Sequence, residues 1–117
     1  MNRRKKGSDY EEIAACYLQE QGYRILEKNF RSRRGEIDLI AEQGSQIVFV
    51  EVKYRENQQK GSPLEAVDSR KRQRIVMAAR YYLYLHRMPE DVSCRFDVIG
   101  ITGTQMEHIK NAFEAGS

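Results

Sequence analysis

Thiol chemistry is nearly absent from this chain, which has two cysteines, Cys16 and Cys94. They lie far apart, match no zinc spacing and are too few for a disulfide framework, so a reducing, cytoplasmic setting is expected. Each is expected to serve as a small buried hydrophobe. No apolar run is long enough to span a bilayer, and the opening residues MNRRKK lack the hydrophobic region of a secretory signal, so no membrane partner is expected. No glycine-rich phosphate loop follows a strand-like run, which argues against a nucleoside triphosphate enzyme. No serine elbow and no Cys/His pair argues for covalent catalysis. His86 and His108 have no paired ligand spacing and read as surface or helix-end residues. Internal repeats and low-complexity segments are absent too.

What is present is enough sequence, 117 residues, for one domain that buries roughly two-thirds of its unfolded surface without a staple. The net charge is +3, but Arg3, Arg4, Lys5 and Lys6 supply four of the 20 basic residues; the remainder carries 16 against 17 acidic residues. Bulk charge therefore says little, and only local clustering can argue for a polyanion. Residues 1–7 read as a basic disordered arm, 8–113 as a single domain and 114–117 as a tail.

The most informative stretch is Gly35 to Lys53, GEIDLIAEQGSQIVFVEVK. Two runs with period-two alternation flank Gln43, Gly44 and Ser45 and predict a hairpin. Pairing Glu42 with Ser45 sets Asp38 opposite Phe49 and Glu36 opposite Glu51. One face is then wholly apolar: Ile37, Leu39 and Ala41 against Val48, Val50 and Val52. The other face carries Ile40, Ile47 and Phe49 near the turn and gathers Glu36, Asp38, Glu51 and Lys53 at its open end, so it is expected to be half buried. Clustered carboxylates there repel one another and are pushed toward protonation unless a cation compensates. One lysine cannot neutralise three acids.

Around this hairpin the chain reads as alternating helices and strands. An amphipathic helix runs from Ser8 to about Gln21, with Tyr10, Ile13, Ala14, Tyr17 and Leu18 at helical spacing and Gly22 as its stop. Ser8 and Glu11 fit a capping box, although Glu11 also shares a face with Ala14, Ala15 and Leu18 and could turn toward the sheet. A first strand covers Tyr23 to Phe30, followed by Arg31, Arg33 and Arg34 on a loop, the best local phosphate-binding candidate. Beyond Lys53, the polar YRENQQKGSP reads as a mobile connection in which Arg55 and Lys60 add positive charge. A helical segment from Pro63 leads into a longer helix, Ser69 to His86, with Ile75, Ala78, Ala79, Tyr82 and Leu83 as its buried stripe. Arg70, Lys71, Arg72 and Arg74 at its start oppose the macrodipole, and so read as either a solvated or a phosphate-facing edge. Strands at Arg95–Thr102 and Met106–Phe113 close the order, with Asp97 read as structural or peripheral. The whole predicts an α/β protein, a mixed β-sheet of about five strands flanked by α-helices.

Asp38 and Glu51 on neighbouring strands are suitable ligands for a hard divalent cation such as Mg²⁺, with the backbone carbonyl of Val52 as another oxygen. Such a cation polarises a phosphodiester, and Lys53 is placed to position water or to stabilise charge developing on phosphorus.

Asp38 followed, after a 12-residue gap, by Glu51-Val52-Lys53 resembles the D...E-x-K signature of the restriction-endonuclease-like, PD-(D/E)xK nuclease superfamily. More broadly, YLQEQGYRILEKNFRSRRGEIDLI, VFVEVKYR, Lys71 and RFDVIGI, spanning residues 10 to about 101, resemble the YraN family of small bacterial proteins. The resemblance implies a restriction-endonuclease-like core, similar to archaeal Holliday-junction resolvases. It also implies a Mg²⁺- or Mn²⁺-dependent DNA endonuclease-like phosphodiesterase, with double-stranded or branched DNA as substrate. Asp38 and Glu51 match the metal ligands and Lys53 the catalytic lysine; Glu11, on the first helix, matches an additional acid that approaches the metal in resolvase-like members. Glu36 belongs to the G-E-x-D pattern without a known role. Ile37 stands where many superfamily members have proline, and Tyr10 where glycine is expected, but neither change removes a ligand. Arg31, Arg33, Arg34, Arg55 and Lys71 are expected to hold the nucleic-acid backbone, and a homodimer is expected by analogy with junction-cutting nucleases. The alternative is a non-catalytic nucleic-acid-binding module on the same fold; a third reading has the acids in buried ion pairs with Arg31 or Arg34.

Overall fold

In the computed structural model, which describes residues 3–56, 62–89 and 91–116, with residues 3–8 as backbone only, two helices sandwich one five-stranded sheet. Helix α1 spans Arg3–Glu20, strands β1, β2 and β3 span Arg24–Arg31, Glu36–Gln43 and Gln46–Arg55, helix α2 spans Ser69–Leu85, and β4 and β5 span Cys94–Thr102 and Gln105–Phe113. A short 3-10 helix, Pro63–Ala66, leads into α2. Spatial strand order equals chain order; β3 and β4 are parallel and the other neighbours antiparallel, so the expected mixed sheet is present. Among the described residues no helix is long and apolar enough to cross a membrane.

Alternation in the sequence decides which helix covers which face. Leu39, Ala41, Val48 and Val50 pack with Ile99 and Ile101 of β4 under Ala14, Ala15 and Leu18 of α1. Ile40, Ile47, Phe49, Phe96 and Val98 pack under Ile75, Ala78, Ala79 and Tyr82 of α2. On this second face α2 buries Ile40, Ile47 and Phe49 at the turn end, while Glu36 stays exposed and Lys53 half-buried at the open end, as the half-buried expectation has it. Helix α2 begins where Asp68 accepts the Lys71 N–H at 2.9 Å, an N-cap that satisfies an otherwise orphaned donor.

Three local readings change. Helix α1 runs from Arg3, taking in residues 3–7 of the segment expected to be a disordered arm, so positions 8 and 11 fall inside the helix rather than at the start that a capping box requires. At its other end the helix closes as expected at Gly22, through Tyr23 N–H to the Leu18 carbonyl and Gly22 N–H to the Gln19 carbonyl. The hairpin register differs by two: Glu42 pairs with Ile47 and Ile40 with Phe49. The cause is a tight turn of two residues, Gly44 and Ser45, with Gly44 at φ 59, the conformation that a II′ turn requires of its first central residue. Because the shift is even, Leu39, Ala41, Val48 and Val50 keep the face expected of them, but Ile37, paired with Phe30, packs into the core under α2 instead of with Leu39 and Ala41.

Cys16 and Cys94 are exposed rather than buried, Cys16 on the outer face of α1 and Cys94 at the first position of β4. The connection after β3 falls largely outside the described residues, as does Lys60. Both edge pairings are irregular: the β1 register shifts between Ile25 and Glu27, and that of β4 with β5 shifts between Phe96 and Val98. Asn29 and Asn111, on the two edge strands, have left-handed backbones at φ 54 and φ 52.

Candidate metal and phosphate site

The β2–β3 ladder ends at Leu39–Val50, short of the acidic end of both strands. One residue further, the Asp38 carboxylate takes the Val52 N–H at 2.8 Å. A side chain thus stands where a strand neighbour would have bonded, and the two strands part at this point. In extended backbone a residue's N–H and C=O point to the same side, so the Val52 carbonyl also faces the fork. Continuing the register brings Asp38 across from Glu51, closer than the pairing read from sequence.

Both acids are buried, with Asp38 at 9% and Glu51 at 4% exposure. Burial pushes the Glu51 carboxyl up to about 8, reinforced by the neighbouring Asp38 charge and opposed by Lys71 and Lys53. Asp38 is likewise raised by burial, against the Val52 N–H and a hydrogen bond with Glu51 that favour its ionised form. The two lysines converge on one oxygen: Glu51 Oε1 lies 3.6 Å from Lys53 Nζ and 3.5 Å from Lys71 Nζ. Glu51 Oε2 is buried without a hydrogen-bond partner. With both carboxylates ionised, nothing among the described residues donates to that oxygen. A proton shared with Asp38 would do so, and so would a cation.

That orphaned oxygen, beside a second carboxylate and an open strand fork, fits a small hard cation bound through two carboxylates and otherwise by water and substrate oxygens. A wider protein cage is absent: among the described residues no three His, Cys, Asp or Glu side chains form a metal-holding group. Glu11 is drawn toward the site without completing such a group. Burial and the Asp38 charge raise its pKa, while a hydrogen bond with the Asn29 side chain lowers it. Its turn toward the sheet is the second of the two orientations that its helical face allowed.

The expected backbone-holding residues divide. Lys71 belongs to the acid site itself, because α2 carries it on the same stripe as Ile75 and Ala78, facing the sheet. That stripe was visible in the sequence as spacings of four and seven from Lys71. Arg31 ion-pairs with Glu36 at 3.3 Å, both exposed, and Arg33 and Arg34 are exposed on the turn that follows β1. This turn is held by the Ser32 hydroxyl donating to the Gly35 carbonyl at 3.0 Å, and it presses onto α2: a Cβ at Gly35 would lie 2.5 Å from the Arg74 carbonyl oxygen. Arg55 donates to the Ser62 carbonyl, across the connection. Asp38 and Glu51 pair with neither Arg31 nor Arg34, so the third reading, buried acid–arginine pairs, does not describe this site.

A third buried acid sits elsewhere in the sheet. Asp97, 1% exposed, accepts from Arg95 at 2.8 and 2.9 Å, from the Asn111 N–H at 3.0 Å and pairs with His108 Nε2 at 2.7 Å. His108 is therefore a buried partner rather than a surface residue, its Nδ1 3.0 Å from the Tyr17 hydroxyl. His86, by contrast, is the exposed C-cap of α2, as its position suggested. Asp97 is structural, as expected.

Residues 10–101 match the model of a family described as Uncharacterised protein family UPF0102. A UPF0102 protein of Lachnoclostridium phytofermentans is 50% identical over 98% of both chains. One from Nitrosomonas eutropha is 46% identical over 97% of both, and one from Chromohalobacter salexigens 43% identical over 96% of this chain and 93% of the relative.

Proposed function

The chain belongs to the UPF0102 family, and we propose that it is a divalent-metal-dependent DNA endonuclease-like phosphodiesterase, of restriction-endonuclease-like architecture, acting on double-stranded or branched DNA in the cytoplasm. The observation that carries this reading is the buried Asp38–Glu51 pair at the strand fork, with one carboxylate oxygen unsatisfied and two lysines alongside. A module that only bound polyanions would gain nothing from two buried acids, whose charge repels phosphate.

Asp38 and Glu51 would hold Mg²⁺ or Mn²⁺, with the Val52 carbonyl facing the same opening; when bound, the ion supplies Lewis-acid polarisation of a phosphate oxygen and acidifies water. Lys53 and Lys71 keep a positive field at Glu51 Oε1, where they can stabilise negative charge growing on phosphorus and orient the attacking water. The Asp38–Val52 hydrogen bond fixes one carboxylate before substrate arrives, so little reorganisation is needed. Arg31, Arg33 and Arg34 would receive the backbone beside the fork, and a homodimer would present two such sites to a branched substrate.

Cleavage of plasmid and branched DNA with Mg²⁺ or Mn²⁺ tests the reading. Activity in the wild type that Glu51→Ala and Lys53→Ala both lose is expected. Activity that both retain would sink the site assignment, and binding without cutting across all substrates and metals would favour a non-catalytic binding module.

A further inference from the structure

The acid site opens into a groove that the metal chemistry does not use. A depression of about 280 Å³ runs past Lys71, Arg74, Gly35 and Arg31, and a larger one of about 700 Å³ continues from Arg31 and Ser32 to Arg33, Arg34, Met77 and Tyr81. The two share Arg31 and Ser32, so they form one path between the turn after β1 and the outer edge of α2. Lys71 stands at one end, 3.5 Å from Glu51 Oε1. At the other, Met77 and Tyr81 are 38% and 45% exposed. Positions 74, 77 and 81 follow helical spacing, so they line one strip of α2.

Charge and apolar surface are arranged in a particular order along this path. Arginines line its middle, and the acid among them, Glu36, is neutralised by Arg31 at 3.3 Å. Tyr81 at the far end is braced from behind, its ring 6.1 Å from that of Phe30 and inclined at 37°. A half-exposed tyrosine beside a buried phenylalanine offers ring surface on which a base can stack. Guanidinium groups followed by an aromatic face are what an unpaired nucleic-acid strand requires, phosphates on the former and a base on the latter. A duplex offers phosphates but keeps its base faces stacked.

We propose that this groove binds a single-stranded segment of the substrate, with an unpaired base stacked on Tyr81 and its phosphates on Arg31, Arg33 and Arg34. The inference builds on the nuclease reading only for the direction of the strand, whose scissile phosphate lies at the Lys71 end. From Lys71 to Tyr81 is ten residues of helix, or about 15 Å. The preferred substrate class is accordingly DNA with an unpaired arm of at least that length beside the cut.

Fluorescence anisotropy in EDTA, with a labelled 15-nucleotide thymidine strand, a 15-base-pair duplex and poly-aspartate as a base-free polyanion, tests this without cleavage. The strand is expected to bind more tightly than the duplex and to resist poly-aspartate. Tyr81→Ala should weaken strand binding by about five- to 150-fold, with duplex binding unchanged and Tyr81→Phe close to wild type. Arg33→Ala with Arg34→Ala should weaken both ligands and reduce the salt slope by about one to two. Equal strand binding by wild type and Tyr81→Ala, or displacement by poly-aspartate as effective as by strand, would overturn the proposal. A change in sedimentation of Tyr81→Ala with strand binding intact would overturn it in favour of a contact between copies of the chain. Absence of cutting under every metal, with Tyr81-dependent binding preserved, would remove the nuclease reading and leave the groove.

Discussion

Two buried acidic centres occupy the same sheet, and they are built on opposite principles. Around Asp97 every acceptor is filled: an arginine, a histidine and a main-chain N–H outweigh the burial that alone would raise its pKa, and hold it below the usual carboxylate range. Around Asp38 and Glu51 burial wins; both carboxyls are raised, and one oxygen has no donor among the described residues. The first arrangement is what a fold needs to bury an ion. The second leaves free energy unrecovered, which a ligand can supply.

The largest expected effect comes from breaking the satisfied centre. Asp97→Ala leaves Arg95 without its buried partner and should cost about 3–5 kcal/mol in urea denaturation at pH 7. Next is the pH dependence of the unsatisfied one. Glu51 rises from 4.5 to about 8 on folding, so the folded state holds a proton that the unfolded state releases. Its stabilising contribution is complete below pH 4.5 and is lost as pH rises through 8. Chemical denaturation should show a fall of about 3 kcal/mol between pH 4.5 and 7; Glu51→Gln should flatten that slope. Asp97 acts in the reverse sense: its contribution is present above its ordinary value of 3.8 and disappears as pH falls through the lower folded pKa, so acid unfolding should begin at lower pH in wild type than in Asp97→Asn.

Mg²⁺ should oppose the alkaline loss. At a hundredfold excess over its dissociation constant it adds about 2.7 kcal/mol, seen as a rise in thermal midpoint that is greater at pH 8 than at pH 5. Glu51→Gln should abolish that rise and Asp97→Asn should keep it. The smallest expected effect lies at the periphery of the satisfied network, where Tyr17→Phe removes the hydroxyl facing His108 and should cost about 1 kcal/mol in the same denaturation assay.

The contrast also explains what the amino-acid sequence reveals. Alternation in LIA and IVFV assigns those hairpin side chains to their faces, because a strand's period is two whatever its partner; it fails at Ile37, where the strands part and the side chain packs under α2. Register depends instead on the turn, and the composition of Gln43–Gly44–Ser45 does not distinguish a two-residue connection from a three-residue one. Asp38, Glu51 and Lys53 are legible as a cluster because they lie on adjacent strands joined by a short turn. Lys71 was legible in charge but not in role: its place beside Glu51 follows from the phase of α2, fixed by its apolar stripe. The Asp97 network is hidden for a different reason. Tyr17 and His108 are 91 positions apart, and nothing local to either residue marks the other. Glu11 carries two local signals that conflict, and the longer helix settles the matter by removing the helix start on which a capping box depends.

The irregular registers at the two sides of the sheet have a consequence for how these molecules meet one another. A long, flat outer strand presents a row of free main-chain groups on which another chain can assemble by β-addition, the route to fibrous aggregates. Here a bulge and a left-handed asparagine interrupt each outer strand, Asn29 on one side and Asn111 on the other. Both borders of the sheet thus discourage templated growth.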